Sequence, residues 1–394
     1  MVKFMKKSFF AAIDLGATSG RIMLDKGDGK VNEIYRFPTP MVRNDAGIFW
    51  DFEALFAGII SGLKLLENVS GNIASISCDS WAQDFGMLDE NGSPVAMPFS
   101  YRDGKCKVSS AARLEYIAEF FPEYLKKTVQ ILHIADLIHF YLCKSARSNY
   151  SLAAISGLDI THKLLAPIAD CEIIGTVNHP ALSFLHGVPV ISGAGHDTAA
   201  AFVCGDPQDN EIMTSVGTWQ MTAERWDDTA EIPEDFRRLP LPHRKCARTR
   251  GGMGLWVFQQ CVKLWKERGI FPGYAVLDAE AQKCTLPGFI DPDTPELFSP
   301  ENMEEAICSL VKKTLTPPEM TALLLRGTAH RIAMTVKSFD KEFSRVIAVG
   351  GGINGEFFCG LLKKELHPVM LTVGSSEASA AGNIAIQKQV INNI

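Results

Sequence analysis

The chain has 394 residues, 46% hydrophobic and 21% charged. At roughly 100–200 residues per domain this predicts two globular domains and excludes a disordered, collagenous or disulfide-stapled chain. Lys and Arg total 39 against 45 Asp and Glu, a formal charge of −6, and no block of five like charges occurs, which argues against nucleic-acid or membrane partners. Lys3, Lys6 and Lys7 precede an apolar run that imitates a signal peptide, but Asp14 ends it after about five residues, too few for an h-region. The 187–205 stretch is interrupted by His196 and Asp197, so neither segment is expected to span a bilayer. Ten cysteines lie between Cys78 and Cys359 without a C-x-x-C pair, the pattern of reduced thiols in a cytoplasmic protein.

Residues 8–13 are a continuous β-prone run. A second, 21–25, follows a glycine-rich turn, and a third, 31–37, follows Lys26-Gly27-Asp28-Gly29, so the chain opens with a β-meander. Residues 52–66 have helical periodicity, 73–78 read as a buried strand, 81–88 continue beyond Asp79-Ser80, and Asp89-Glu90-Asn91-Gly92 is a turn. The spacing predicts helices over 111–127 and 131–144, and 188–191 is a short strand containing Pro189 that runs into Gly193-Ala194-Gly195. The opening grammar then returns: a strand over 211–215, the tight turn Val216-Gly217-Thr218 and a β-run over 219–224. Later come a helix over 320–338, a strand over 346–349, Gly350-Gly351-Gly352, a helix over 355–365, a strand over 369–373 and a helix from Glu377. The repeated β-turn-β opening suggests a duplicated architecture, with domains over 1–205 and 206–394. No low-complexity linker marks the boundary, so the domains are expected to meet across a cleft.

Five constellations could carry chemistry. In Asp14-Leu15-Gly16-Ala17-Thr18-Ser19-Gly20-Arg21, glycines expose backbone N–H groups to an anion, hydroxyls and a guanidinium suit phosphate oxygens, and Asp14 could hold Mg²⁺ through water; the alternative is an ordinary hairpin turn. Ser215-Val216-Gly217-Thr218 repeats that logic in the other half. In Gly193-Ala194-Gly195-His196-Asp197-Thr198, a carboxylate after a buried strand is costly unless solvated or used. Asp197 could be a general base toward a hydroxyl, or only cap the following helix. Val349-Gly350-Gly351-Gly352-Ile353-Asn354-Gly355 reads literally as G-x-G-x-x-G, with Glu377 near the spacing of a ribose-binding acid, so an NAD-binding dehydrogenase is the alternative reading. Only 17 residues follow Glu377, too few for a βαβαβ unit, so a glycine platform for a nucleotide base is preferred. There Gly351 and Gly352 are expected to be intolerant of side chains. No G-x-x-x-x-G-K-[ST] occurs, which excludes a P-loop. Asp79-Ser80-Trp81-Ala82-Gln83-Asp84-Phe85 combines polar groups with aromatic faces, as a polyol site needs; the alternative is a half-buried hairpin.

In this order the motifs resemble the FGGY family of carbohydrate kinases, most nearly its rhamnulokinase branch. The resemblance implies an α/β protein of two ribonuclease H-like domains of the actin/hexokinase type with a cleft between them. Asp14–Arg21 is similar to the first phosphate loop, Asp79–Phe85 to a D-T-W-G-V-D-F stretch, and Tyr101-Arg102-Asp103 to a Y-R-D. His196-Asp197-Thr198 is similar to the catalytic H-D-T and 215–219 to S-S-G-T-W. Met253-Gly254-Leu255-Trp256 with Gln259 is similar to an M-G-L-W-x-x-Q helix. Phe289-Ile290-Asp291-Pro292 with Pro300-Glu301-Asn302-Met303 echoes a further family stretch, and Gly350–Asn354 with Glu377-Ala378-Ser379 resembles the adenosine end. The chain is shorter than typical members: the P-F-N-T-L-Y-like segment that helps cover the sugar is missing, Ala82 stands in place of a sugar-contacting glycine, and Gly251 in place of an asparagine.

The resemblance implies an ATP- and Mg²⁺-dependent kinase acting on a ketose, L-rhamnulose first and L-fuculose second. It implies Asp197 as catalytic base, Ala82, Gln83, Asp84, His196, Asp197 and Thr198 around the sugar, and Asp14 toward the metal. Toward ATP it implies Ala17, Thr18, Ser19, Gly20, Arg21, Gly217, Thr218, Gln259, Gly351, Gly352 and Asn354. The expected partner is a small-molecule sugar, with a homo-oligomer left open and a non-catalytic member of the same fold as a third reading.

Overall fold

The computed structural model describes residues 8–69 and 71–393; Lys3, Lys6 and Lys7 lie outside the described residues. The chain forms two compact units, the first made of Met1–Cys204, Arg238–Cys246 and Ser379–Ile394, the second of Gly205–Arg237 and Ala247–Ala378.

The sheet of the first unit runs in the order Glu172–Thr176, Pro189–Ser192, Asn72–Ser80, Ser8–Leu15, Ser19–Asp25, Val31–Pro38. The last three strands are an antiparallel meander. Asn72–Ser80 lies parallel to Ser8–Leu15, and Pro189–Ser192 parallel to Asn72–Ser80. Ser8–Leu15 is buried from Phe9 onward on both faces, which is why it reads as an unbroken apolar run rather than an alternation. The parallel register sets Asp14 opposite Asp79, and Ser80 bridges to His196. Three chemistry-bearing strand ends thus share one edge, the carboxyl end of the parallel strands, where open α/β sheets place their ligands.

Helices cover the sheet by burying one stripe each. Phe52–Lys64 is started by Asp51, whose carboxylate accepts from Ala54 N, and it buries Phe52, Leu55, Phe56, Ile59 and Leu63, the spacing of one helical face. Ala378–Asn392 packs Ala380 and Ile384 against Phe10, Ala12 and Met23 of the same unit.

Two expected helices differ. Residues 111–127 form two, Ser110–Phe120 and Pro122–Lys127, because Pro122 has no N–H to continue the first and pushes Phe121 out of helical geometry. Residues 130–133 are a strand, Gln130–His133, paired antiparallel with Phe85–Leu88, and the helix starts only at Ile134. A four-residue apolar run carries no periodicity that separates strand from helix.

In the second unit five strands run in the order Cys246–Met253, Trp219–Trp226, Glu211–Val216, Arg345–Val349, Met370–Val373. Glu211–Val216 is antiparallel to Trp219–Trp226 and parallel to Arg345–Val349, which is parallel to Met370–Val373. This repeats the antiparallel-then-parallel order of the first unit. Pro317–Lys337 is the long helix, entered through a Thr316–Glu319 capping box with proline at its first turn, the arrangement that satisfies the orphan N–H groups. Among the described residues no helix is long and apolar enough to cross a membrane.

Candidate active site

Asp14 lies next to the end of the first strand and pairs in register with Arg21 of the next, so the tight turn between them, closed by Gly16 N donating to Ser19 O at 3.1 Å, folds the arginine back onto the acid. Arg21 pairs with Asp14, and Ser379 Oγ donates to the same carboxylate oxygen at 3.4 Å. Asp79, fully buried, accepts from Asn383 Nδ2 at 2.7 Å, and its other oxygen has no partner. Burial holds the Asp14 carboxyl above its usual range against the pull of Arg21, and Asp79 well above it, with Asp14 and Asp197 adding repulsion. Asp14, Asp79 and Asp197 therefore share one electrostatic neighbourhood. They are not a ready-made cage: among the described residues no three His, Cys, Asp or Glu side chains are arranged to hold a metal.

Asp197 begins the helix Asp197–Gly205 and is about a third exposed, whereas His196 is buried. His196 Nε2 lies 3.3 Å from Asp197 Oδ1, which also accepts from Thr198 N and Oγ1. Burial lowers the His196 pKa, offset in part by Asp197, so the ring is neutral at pH 7 and its Nδ1 has no partner.

On the same unit, Asp84 Oδ2 accepts from Trp50 Nε1 at 2.7 Å, Trp81 Nε1 at 2.9 Å and Tyr101 N at 3.2 Å. Trp50 and Trp81 rings lie 4.4 Å apart, and the exposed Arg102 guanidinium sits over Trp50 and Tyr101. Gln83 turns inward instead: its amide binds Ile155 O at 3.0 Å and Ser110 N at 3.1 Å. Ala82 packs on the core. Burial, opposed by those three N–H groups, raises Asp84 to about 6. A carboxyl raised in the folded state contributes stability that is full below its unfolded pKa of 3.8 and falls as pH rises toward about 6. Asp84→Asn removes that dependence. Wild type should therefore lose roughly 2 kcal/mol relative to the variant between pH 4 and pH 7, read from urea midpoints; a constant difference across that range would rule the shift out.

Of the remaining loop residues, Ala17 packs on the core and Thr18 is exposed. Ser19 Oγ accepts from Arg36 at 3.1 Å. Gly20 leaves no room for a Cβ, which would overlap the Phe37 ring.

The other expected residues lie in the second unit. Thr218 Oγ1 donates to Gln259 Oε1 at 2.9 Å, tying the hydroxyl–glycine turn to the helix Trp256–Glu267. Leu255 N donates to Gly217 O at 2.8 Å. The glycine run follows the strand Arg345–Val349, with Gly350 at φ +90° and a single 3₁₀ turn over Gly351–Asn354, where Asn354 is exposed. Within the protein itself Gly351 and Gly352 differ. A Cβ on Gly352 would meet Val216 Cγ1 at 2.5 Å and Leu255 Cδ1 at 2.9 Å, while nothing lies within 4 Å of one on Gly351. Gly351→Ala should leave stability within about 0.5 kcal/mol of wild type, and Gly352→Val should cost roughly 1–3 kcal/mol. Equal denaturation midpoints for the two variants would contradict this packing. At Gly251, a side chain would crowd Met221 and stand 2.5 Å from Gln220 O, so the asparagine of the family pattern does not fit there. The dinucleotide reading lacks its fold: one strand, Met370–Val373, follows Gly355, and residues from Ser379 belong to the first unit.

The structure also brings in residues that the motifs did not name. Trp50 completes the Asp84 cluster, and Ser379, expected at the adenosine end, touches Asp14. Ser379, Asn383 and Gln387 form a polar stripe at i, i+4, i+8; Gln387 binds Ser75 Oγ at 2.7 Å and Ala11 O at 3.0 Å. Three polar residues at helical spacing among Ala, Gly and Ile were the available signal.

Residues 212–388 match the model of the FGGY family of carbohydrate kinases, C-terminal domain. The rhamnulokinase of Bacteroides thetaiotaomicron is 26% identical over 449 residues, covering 98% of this chain and 91% of that protein. The rhamnulokinase of Oceanobacillus iheyensis is 25% identical over 451, covering 97% and 93%. Among solved structures, ligand-bound xylulose kinase from Lactobacillus acidophilus superposes with a TM-score of 0.77 at 13% identity, covering 98% of this chain and 90% of that one. Plasmodium falciparum glycerol kinase with ADP gives 0.76 at 14%, with the same coverages. The fold of both units is thus that of the two-domain sugar kinases.

Proposed function

Because the chain belongs to the FGGY family of carbohydrate kinases and is an ATP-dependent sugar kinase, we propose that its acceptor is a ketose hydroxyl, with L-rhamnulose first and L-fuculose second. What supports the sugar is the likeness to rhamnulokinases over almost the whole chain. The observation that carries the chemistry is Asp197: it is the solvent-reaching member of a three-carboxylate neighbourhood whose other members are buried and held above their usual pKa.

Asp197 takes the proton of the attacking hydroxyl as its oxygen bonds to the γ-phosphorus and the bond from that phosphorus to the ADP oxygen breaks. A neutral His196 orients the sugar through its ring nitrogens. Trp50 and Trp81 are buried in the core and hold Asp84 from behind, which leaves the half-buried Tyr101 to meet the sugar's C–H surface. In the first unit Thr18, Ser19 and Arg21 are suited to phosphate oxygens, on a turn shaped by Ala17 and Gly20; in the second Thr218 is suited to them likewise, and Gly217, Gln259, Gly351, Gly352 and Asn354 offer a nucleotide surface. Phosphoryl transfer depends mainly on positioning and electrostatics, so donors dispersed over several turns suffice.

The donor set fits Mg²⁺. Asp79 has an unpartnered buried oxygen beside Asp14, and Mg²⁺ ordinarily takes one or two carboxylates with phosphates and water. Asp14, with Asp79 behind it, would hold the ion, whose charge would offset that building on the β- and γ-oxygens. No disulfide forms among the described residues, which supports a cytoplasmic location. Coupled ADP release across a ketose panel tests the reading. L-rhamnulose should give the highest kcat/KM, and a flat response across the panel would remove the ketose assignment.

A further inference from the structure

The turn 193–196 that delivers Asp197 is not held by its own strand alone. Ser80 N donates to Gly195 O at 2.9 Å on one side. On the other stands Asn149, 1% exposed, just before the helix Tyr150–Ile155. Its Nδ2 donates to Gly193 O at 2.6 Å and Ser192 Oγ at 3.0 Å. Its Oδ1 accepts from Gly195 N at 3.2 Å and from Ser151 Oγ at 2.7 Å, and that hydroxyl in turn accepts from His196 N at 3.1 Å. A Cβ on Gly195 would lie 2.7 Å from Asn149 Cγ, so the glycine is required for the amide to seat. Only a carboxamide offers donor and acceptor at once to a backbone carbonyl and a backbone N–H two residues apart.

Asn149 is itself anchored. Its N–H donates to Asp136 Oδ1 at 3.0 Å. Asp136 Oδ2 lies 3.8 Å from His133 Nδ1, and His133 Nε2 is 3.2 Å from Ser110 Oγ. Ser110 Oγ donates to Gln83 O at 2.8 Å. Asn149 is thus tied to Asp136, and His133 to Ser110 and the loop carrying Asp84; the 3.8 Å between Asp136 and His133 is too long for a hydrogen bond, and those two atoms have no other hydrogen-bond partner among the described residues.

We propose that Asn149 is a positioning residue for phosphoryl transfer: it fixes the 193–196 turn so that Asp197 meets the acceptor hydroxyl, and Asp136 anchors its backbone N–H. The proposal rests on Asp197 being the base. The amide of Asn149 is hydrogen-bonded through both its nitrogen and its oxygen, and buried polar groups satisfied in this way specify one geometry; displacing a catalytic group by about 1 Å can cost on the order of 100-fold in rate.

The test is steady-state kinetics of Asn149→Ala, alone and combined with Asp197→Asn, on the full chain with Mg·ATP and the best ketose. Asn149→Ala should lower kcat by about 10- to 100-fold while the KM for ATP stays within roughly threefold. In the Asp197→Asn background it should change the residual rate by less than about threefold, since the group it positions is already disabled. Ser151→Ala, which removes one link without emptying the site, should show the same pattern at smaller size; it replaces Asn149→Ala in the cycle if that variant does not fold. Equal losses in both backgrounds, or a kcat within roughly threefold of wild type, overturn the proposal. An Asp197→Asn enzyme within about tenfold of wild type overturns the base assignment and the proposal with it. An inert Asp197→Asn enzyme beside an unimpaired Asn149→Ala enzyme overturns the proposal alone.

Discussion

Asp197→Asn should lower kcat by about 10²- to 10⁴-fold, or roughly 3–5.5 kcal/mol of barrier, with both substrates still bound. The amide has nearly the shape of the carboxylate. Its oxygen can still accept from Thr198 N and Oγ1, which the acid does now, so the start of the helix Asp197–Gly205 should be preserved. What it lacks is a basic oxygen at neutral pH. Asp14 and Asp79 are the nearest replacements in electrostatic terms, but both are buried, one pinned by Arg21 and Ser379 and the other by Asn383. Neither can turn toward an acceptor hydroxyl. Binding isotherms for Mg·ATP and the ketose, measured beside kcat, separate chemistry from affinity. Activity within tenfold of wild type would leave Asp197 as a helix-starting residue only.

Gly382→Val should be among the most destabilising single changes in the first unit, at the upper end of the roughly 1–3 kcal/mol expected of overpacking. A Cβ at Gly382 would overlap the carbonyl oxygen of Ala200 and stand 2.7 Å from its carbon. These are backbone atoms of the helix Asp197–Gly205 and cannot rotate aside. The helix bearing residue 382 would have to back away, and its neighbour Asn383 would lose Asp79, leaving that acid buried with neither oxygen partnered. Gly360 in the helix Glu356–Leu366 is the control: nothing lies within 4 Å of a Cβ there, so Gly360→Ala should stabilise by about 0.5–1 kcal/mol. Denaturation midpoints shifting in opposite directions would support this account; a neutral Gly382→Val would refute the close helix contact.

The parts of the molecule that are local in origin are legible in the sequence. The Asp14–Arg21 turn, the Val216–Thr218 turn and the Gly350 turn are written in glycine and hydroxyl residues between β-prone runs, and each forms where its punctuation predicts. Pairing across long sequence separations is not written this way. His133 reads as helical because its apolar neighbours fit either period, and only the partner strand Phe85–Leu88 decides. Asn149 carries no motif, and its importance lies in what folds against it. Gln83 looks like a sugar contact in the linear pattern, yet its side chain is consumed by Ile155 and Ser110. Gly352 has a reason for being glycine that is internal packing, which a motif cannot distinguish from room left for a ligand.

The helix that returns to the first unit has a consequence for biosynthesis. Ser379, Asn383 and Gln387, which satisfy Asp14, Asp79 and Ser75, are translated after every residue of the second unit. At about 5–20 residues per second, the ribosome spends many seconds on the second unit while the first holds its carboxylates without these partners. The nascent N-terminal portion must wait, incompletely satisfied, for a segment some 175 residues further along. Domains made in order usually fold in order; here completion of the first depends on synthesis of the second. The two halves are therefore poor candidates for separate expression, and a nonsense codon near position 378 would damage the N-terminal half as much as the C-terminal one.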